Sequence, residues 1–324
     1  MRILFAGTPE TALPSLRALL ASAHEVVAVL TRPDAPSGRG RTLRPSPVKS
    51  LAIEHGLPVL TPASLRTDDA QDALRALGAD LAVVVAYGSL VPAAALEIPR
   101  EGWINLHFSL LPALRGAAPA QRAVLQGLER TGMSVFRLET GLDTGPVLAR
   151  QETEIGEFET ASALLERMAE AGAELLVEAV DAIAAGTARD EVQDHSLATR
   201  AEKLSTAEAR IDFALPAREV SAHVRGMSAE PGAWTLWRGA RMKVLEIEAL
   251  RTADASPALA PGQLHLARTQ LLVGTADAPL AIARLAPAGK KPMRAADWAR
   301  GANLAPGDAF GEELTAPTAQ ENAR

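Results

Sequence analysis

From Leu81 to Tyr87 the chain reads Leu-Ala-Val-Val-Val-Ala-Tyr, and this run limits the fold more than any other stretch. An apolar segment of strand length that offers no polar face must be covered on both sides, as helices cover the central strand of a parallel sheet. The flanking segments alternate in kind. A strand from Arg2 to Ala6 turns through Gly7-Thr8-Pro9 into a helix carrying Leu13, Leu16, Leu19 and Leu20. A strand from Glu25 to Leu30, a helix from Val48 to His55, a short strand near Pro58 to Leu60 and a helix from about Asp69 to Leu77 follow. After the apolar run come strands at Trp103 to Phe108, Met133 to Leu138 and Val147 to Glu154. A long helix then begins after Thr160, with Leu165, Met168, Gly172, Leu175, Ala179 and Ile183 in three- and four-residue steps until Gly186 stops it. Gly172 in mid-helix costs roughly 0.5–1 kcal/mol against alanine, which a closely packed neighbour would explain.

The alternation predicts a doubly wound α/β domain of the Rossmann-like kind over residues 1–186. Its first turn has only Gly7 where a dinucleotide fingerprint needs three spaced glycines, so Gly7 serves the turn and no dinucleotide is implied. Residues 187–205 are polar and weakly periodic and read as a linker. Over 206–310 the pattern changes to short β-like runs, Ala233 to Leu236, Met242 to Leu250, Gln263 to Leu266, Gln270 to Val273 and Leu280 to Leu285, which predict a small OB-like barrel. Phe213, Trp234 and Trp237 read as its core. Residues 311–324 are polar and are expected to be a disordered tail.

The chemistry concentrates between Gly102 and Gly116. Alternate side chains of a strand share a face, so Asn105 and His107 point the same way. The strand runs into a rigid turn, Ser109-Leu110-Leu111-Pro112, where the proline cannot donate to a ladder. Pro119 after Gly116 marks a helix start. Asp143 lies in Thr140-Gly-Leu-Asp-Thr-Gly145, a loop whose glycines allow close approach to a ligand. Taken singly, Asn105 reads as a loop cap, His107 as a satisfied core histidine and Asp143 as a turn residue. An amide, an imidazole and a carboxylate around one turn read together as a site. Tyr87-Gly88, ending the apolar strand, lets backbone approach a planar ligand.

Composition narrows the classes. With no cysteine there is neither a disulfide nor a thiol nucleophile, as suits a reducing cytoplasm. No run of about twenty apolar residues marks a membrane span, and the strand-like start does not read as a signal peptide. The six histidines form no ligand pattern, so no metal is expected. A net charge of −6 argues against a broadly basic nucleic-acid binder and leaves local patches. Arg32, Arg39, Arg41, Arg44 and Lys49 stand against Asp34 alone, which is five positive charges and one negative, or +4, from Arg32 to Lys49. Arg284, Lys290, Lys291 and Arg294 form a second candidate phosphate-binding set.

Asn105, His107, the Ser109-Leu110-Leu111-Pro112 turn and Asp143 resemble the signature of the folate-dependent formyltransferases. Arg115-Gly-Ala-Ala-Pro119 with Gln121-Arg122, Phe5-Ala-Gly-Thr-Pro9, Pro36-Ser-Gly-Arg-Gly40 with Ser46-Pro-Val-Lys49, Ala201-Glu-Lys-Leu204 and Gly289-Lys-Lys-Pro-Met293 extend the likeness over nearly the whole chain. Together they resemble the branch that formylates a methionyl initiator tRNA. The resemblance implies a cytoplasmic, monomeric enzyme that takes its formyl group from 10-formyltetrahydrofolate. It further implies catalysis by Asn105, His107 and Asp143: Asn105, and His107 when protonated, would donate to the developing oxyanion, while Asp143 would favour the imidazolium and relay the proton between the attacking amine and the folate nitrogen, directly or through water. Folate contacts would come from Ser109, Leu110, Leu111, Pro112, Tyr87 and Gly88, and tRNA contacts from Arg39, Arg41, Arg44, Lys49, Lys290 and Lys291. Phe108 stands where a smaller residue is expected and would narrow the folate side. Two alternatives remain: a sister enzyme that formylates a sugar nucleotide or an aminoribosyl phosphate, and a noncatalytic RNA-binding module.

Overall fold

A computed structural model describes residues 1–37, 42–251 and 258–311. The apolar run forms the Leu81–Val85 strand, buried along its whole length, near the middle of a seven-stranded sheet. The sheet runs in the order Val147–Glu154, Arg130–Arg137, Trp103–His107, Leu81–Val85, Arg2–Gly7, Glu25–Leu30, Val59–Leu60. The last five are parallel, with chain order reversing between Arg2–Gly7 and Leu81–Val85. Arg130–Arg137 is antiparallel to Trp103–His107, and Val147–Glu154 is antiparallel to Arg130–Arg137. The expected doubly wound sheet is therefore present with an antiparallel edge, which a hairpin can add because its two strands need no crossover helix.

Helices cover the sheet, among them Leu13–Ala21, Asp68–Leu77 and Ala161–Ala184. The glycine within the long helix has a cause. A Cβ at Gly172 would lie 2.9 Å from Cδ2 of Leu106, the residue between Asn105 and His107. Leu106 is buried on the opposite face of its strand and holds the helix directly behind that strand.

Two compact units are distinguished, the first comprising 1–120, 130–154 and 163–202, the second 121–129, 155–162 and 203 onward. The segment expected as a linker therefore belongs to the first unit as far as residue 202. Within it Glu191 exchanges backbone hydrogen bonds with Val147, and Arg200–Ala201 pairs in parallel with Arg115–Gly116. The basic stretch contains an antiparallel ribbon of Ala35–Ser37 and Thr42–Arg44. Arg39 and Arg41 lie outside the described residues, as does the tail after Gly311.

The second unit contains a curled antiparallel sheet in the order Trp234–Trp237, Ala240–Glu248, Leu280–Pro287, Leu271–Val273, Leu264–Leu266, with Met293–Arg294 paired to Leu280–Pro287. It is a half-barrel, filled by Ala217–Gly226, Ala295–Ala302 and a core that includes Val220, Val224, Val244, Ile282 and Leu285. Trp237 meets Trp298 and Phe310 edge-on, and Phe213 stacks on Phe310, so these aromatics build core as expected.

Gly172→Ala gains up to about 1 kcal/mol of helix propensity but overpacks Leu106, which costs about 1–3 kcal/mol, so a net loss of unfolding free energy is expected. A urea midpoint equal to or above that of the parent would show that Leu106 can yield.

Candidate active site

Asn105 and His107 stand on the same face of the Trp103–His107 strand and line one cavity of about 600 Å³. Tyr87 and Gly88, Phe108, Gly116 and the 138–143 loop complete much of its wall. The volume lies in the range of small-ligand clefts, about 300–1,000 Å³. Val84, Leu90, Val91, Leu96, Phe108 and Leu138 make it apolar over a broad stretch, with Asn105, His107 and Asp143 as its polar end. Such a lining suits a planar, partly polar ring system.

His107 is buried, and its Nε2 lies 3.0 Å from the carbonyl oxygen of Leu114. A carbonyl can only accept, so Nε2 carries the proton. Nδ1 faces Asp143, with Oδ2 at 3.8 Å, too far for a hydrogen bond. Burial pushes the ring below the usual histidine range, against upward pulls from the Asp143 charge and the Leu114 carbonyl. His107 is therefore neutral near pH 7, with its Nδ1 lone pair toward Asp143. This corrects the expected imidazolium: Asp143 does favour the charged ring, but the loss of solvation outweighs it.

Asn105 holds an amide whose buried Oδ1 has no partner among the described residues. Buried polar atoms are almost always paired, so an orphan facing a cavity marks a place for a ligand. Asp143 is buried, with a left-handed φ of 53°. Its Oδ2 accepts from the Gly116 amide at 2.8 Å. Gly116 is required there, because a Cβ would come within 2.6 Å of the Ala201 carbonyl oxygen.

Ser109, Leu110, Leu111 and Pro112 do not line the cavity. Ser109 Oγ donates to the Ala113 carbonyl at 2.6 Å, and Leu111 packs on Phe136 and Val147 while its amide donates to Ser134 Oγ at 3.0 Å. The turn thus anchors the chain between His107 and Leu114 and carries no lining side chain. Of the expected tRNA contacts, Arg44 is exposed on its ribbon, and Lys290 and Lys291 are exposed on the second unit. Lys49 is instead engaged by Asp34 Oδ1 at 2.7 Å.

The segment 191–201 was legible only as polar. Buried Gln193 donates from Nε2 to the carbonyls of Asp143 and Gly145, and its Oε1 accepts from Arg115. Thr199 Oγ1 accepts from the Leu114 amide at 2.8 Å, and its carbonyl from the Arg115 amide at 2.9 Å. Glutamine and threonine have no periodic signature as bracing residues, so only the three-dimensional structure finds them.

The profile of the Formyl transferase family matches residues 1–180, and that of the Formyl transferase C-terminal domain matches residues 203–303. The methionyl-tRNA formyltransferase of Salinispora tropica is 52% identical over 308 residues, covering 95% of this chain and 99% of that one. That of Acidothermus cellulolyticus is 51% identical over 323 residues, covering 96% and 100%. Among solved structures, WlaRD, a sugar 3N-formyl transferase, superposes with a TM-score of 0.66 at 15% identity over 90% of this chain and 99% of that one, a likeness of fold.

The histidine can be tested alone. In NMR titrations of the ligand-free protein, His107 is expected to titrate below the ordinary value of about 6.5. Asp143→Asn removes an upward pull and should move the midpoint lower still; a midpoint at or above the ordinary value would contradict the neutral assignment.

Proposed function

The chain belongs to the formyl transferase family, and we propose that Asn105, His107 and Asp143 are the residues with which it works. The reaction transfers the formyl group of 10-formyltetrahydrofolate to the α-amine of methionyl initiator tRNA, the activity named for relatives about half identical over nearly the whole chain. One observation carries the residue assignment. The His107–Leu114 hydrogen bond leaves a basic Nδ1 beside a carboxylate, in a cavity that Asn105 also lines with a buried Oδ1 that has no partner among the described residues.

The folate supplies the formyl carbon as electrophile and a nitrogen that takes up a proton as it leaves. Asn105 offers amide N–H groups to an oxygen on which negative charge develops, the oxyanion-hole function, and its Oδ1 accepts a hydrogen bond from an incoming amine. His107 takes the proton that the amine must lose, at Nδ1, and can return it to the leaving nitrogen. Asp143 stabilises the imidazolium formed between those two transfers. A ring kept neutral by burial is ready to accept a proton, and the nearby carboxylate keeps it from being too weak a base. Tyr87, Gly88 and Phe108 form part of the wall against which the folate ring rests; the Ser109–Pro112 turn acts by anchoring the chain between His107 and Leu114.

The exposed cations at Arg44 and at Lys290 and Lys291 serve as separate phosphate-binding groups for the tRNA. We further propose that the protein acts as a monomer in the cytoplasm, where charged tRNA is available. A single sedimenting species of one chain mass would support the first part and a dimer would refute it.

Asn105→Ala and Asp143→Ala should each lower turnover by about a hundredfold to a thousandfold while folate still binds. Near-normal turnover in either would remove that residue from the mechanism. Tetrahydrofolate release, followed with charged initiator tRNA, the uncharged tRNA, an amino-sugar nucleotide and water in parallel, should occur with the charged tRNA alone. Turnover with the sugar nucleotide would move the acceptor to the sister class. Arg44→Ala and the Lys290→Ala, Lys291→Ala pair should each raise KM for the tRNA and flatten its salt dependence by about one unit for each phosphate no longer neutralised, without changing KM for the folate.

A further inference from the structure

We propose that Gln193 is a positioning residue of the transfer, acting through Asp143; the inference rests on the role given to Asp143 above. Gln193 is 3% exposed, and its amide group is saturated. Nε2 donates to the Asp143 carbonyl at 2.9 Å and to the Gly145 carbonyl at 2.6 Å. Oε1 accepts from Arg115 Nη2 at 2.6 Å and from Arg115 Nε at 3.2 Å. A primary amide has two donor hydrogens and one acceptor oxygen with two lone pairs, and all four are used. The partners also fix which end is which, since carbonyls only accept and a guanidinium only donates.

This arrangement holds Asp143 from two directions. A non-glycine residue in left-handed backbone is costly and persists where its surroundings determine it. The bond to the Asp143 carbonyl constrains that backbone directly. On the far side, the carboxylate rests on the Gly116 amide, and Gly116 directly follows Arg115, whose side chain Gln193 also holds. One side chain, fifty positions beyond Asp143, therefore sets both the backbone that carries the carboxylate and the strand that receives it.

Gln193 is itself anchored. Glu191 pairs with Arg150 at 2.7 Å and Asp190 with Arg137 at 2.9 Å, while Arg115 Nη2 donates onward to His195 Nδ1 at 3.0 Å. These interactions fasten the segment to the Arg130–Arg137 and Val147–Glu154 strands, on a rigid sheet. A carboxylate aimed at His107 Nδ1 from 3.8 Å works only if its direction is kept, and a displacement of about 1 Å can cost about a hundredfold in rate.

The test is a double-mutant cycle on kcat with 10-formyltetrahydrofolate and charged initiator tRNA. Gln193→Ala is expected to lower kcat by about a hundredfold with both KM values little changed. Combined with Asp143→Ala it should add nothing to the loss caused by Asp143→Ala alone, because a residue that acts through Asp143 has no further effect once that carboxylate is gone. In the same Gln193→Ala protein, amide exchange at Gly116 should accelerate while the Leu81–Val85 strand keeps its protection. Effects that multiply in the cycle, wild-type turnover in Gln193→Ala, or unchanged exchange at Gly116 would each overturn the proposal. If the alanine variant does not fold, Gln193→Glu replaces it in the cycle; it keeps an oxygen for Arg115 but sets a carboxylate against two carbonyls, and the same outcomes decide. Full turnover in Asp143→Ala alone would instead refute the role of Asp143, whatever Gln193 does.

Discussion

The hydrogen bond from His107 Nε2 to the Leu114 carbonyl determines what this site can do. It fixes the tautomer, and with it which nitrogen meets the cavity. Without it either nitrogen could carry the proton, and the lone pair opposite Asp143 would be one possibility among several. The acceptor must be held as firmly as the ring. Leu114 has a positive φ, and the Ser109–Pro112 turn fixes the approach to it while Thr199 fixes its amide. The most conspicuous motif of the sequence thus acts one step away from the chemistry, by aiming a backbone carbonyl.

Burial and charge oppose each other at His107. Enclosure by the sheet and by Phe136, whose ring meets the imidazole edge-on at 6.2 Å, makes the charged form costly. Asp143 returns part of that cost when a proton arrives. At 3.8 Å the carboxylate is close enough to stabilise an imidazolium and too far to be hydrogen-bonded to it at rest. A direct hydrogen bond would hold a proton on Nδ1 and remove the base; a much more distant carboxylate would leave the imidazolium with no compensation. The intermediate distance suits a group that gains and loses a proton within one cycle.

Much of this was legible in the sequence because it depends on local periodicity. The Leu81–Val85 run marked the central strand, and the alternation in Trp103–His107 placed Asn105 and His107 on one face; Gly172, a cost to the helix unless a neighbour packs closely, has that neighbour in Leu106. The charge state of His107 was not legible, because it depends on the depth of burial, which spacing does not report. Nor was the Ala217–Gly226 helix, although Pro216 at its start and Val220 and Val224 one turn apart are a valid signal; its low overall hydrophobicity hid a burial that takes in Ser221 and Arg225 beside the valines. The segment 187–202 read as a linker for the same reason: polar residues that brace a site look like polar residues that face water until their partners are known.

That ambiguity has a structural cause. A catalytic carboxylate in a loop needs orientation but cannot be enclosed by apolar packing, which would suppress its charge. Polar bracing is the alternative, and the braces must themselves be satisfied, so they come from a segment with its own ion pairs and ladder bonds. The chain meets this need by returning after the long helix and laying residues 190–201 along the site, where Glu191 joins the sheet edge and Arg200–Ala201 joins Arg115–Gly116. The parallel sheet supplies Asn105 and His107 on a rigid strand; the returning segment supplies rigidity to the two loops that the strand cannot reach. The groups proposed to react thus lie within the first 143 residues, and a large part of their geometry is fixed by residues that come later in the chain.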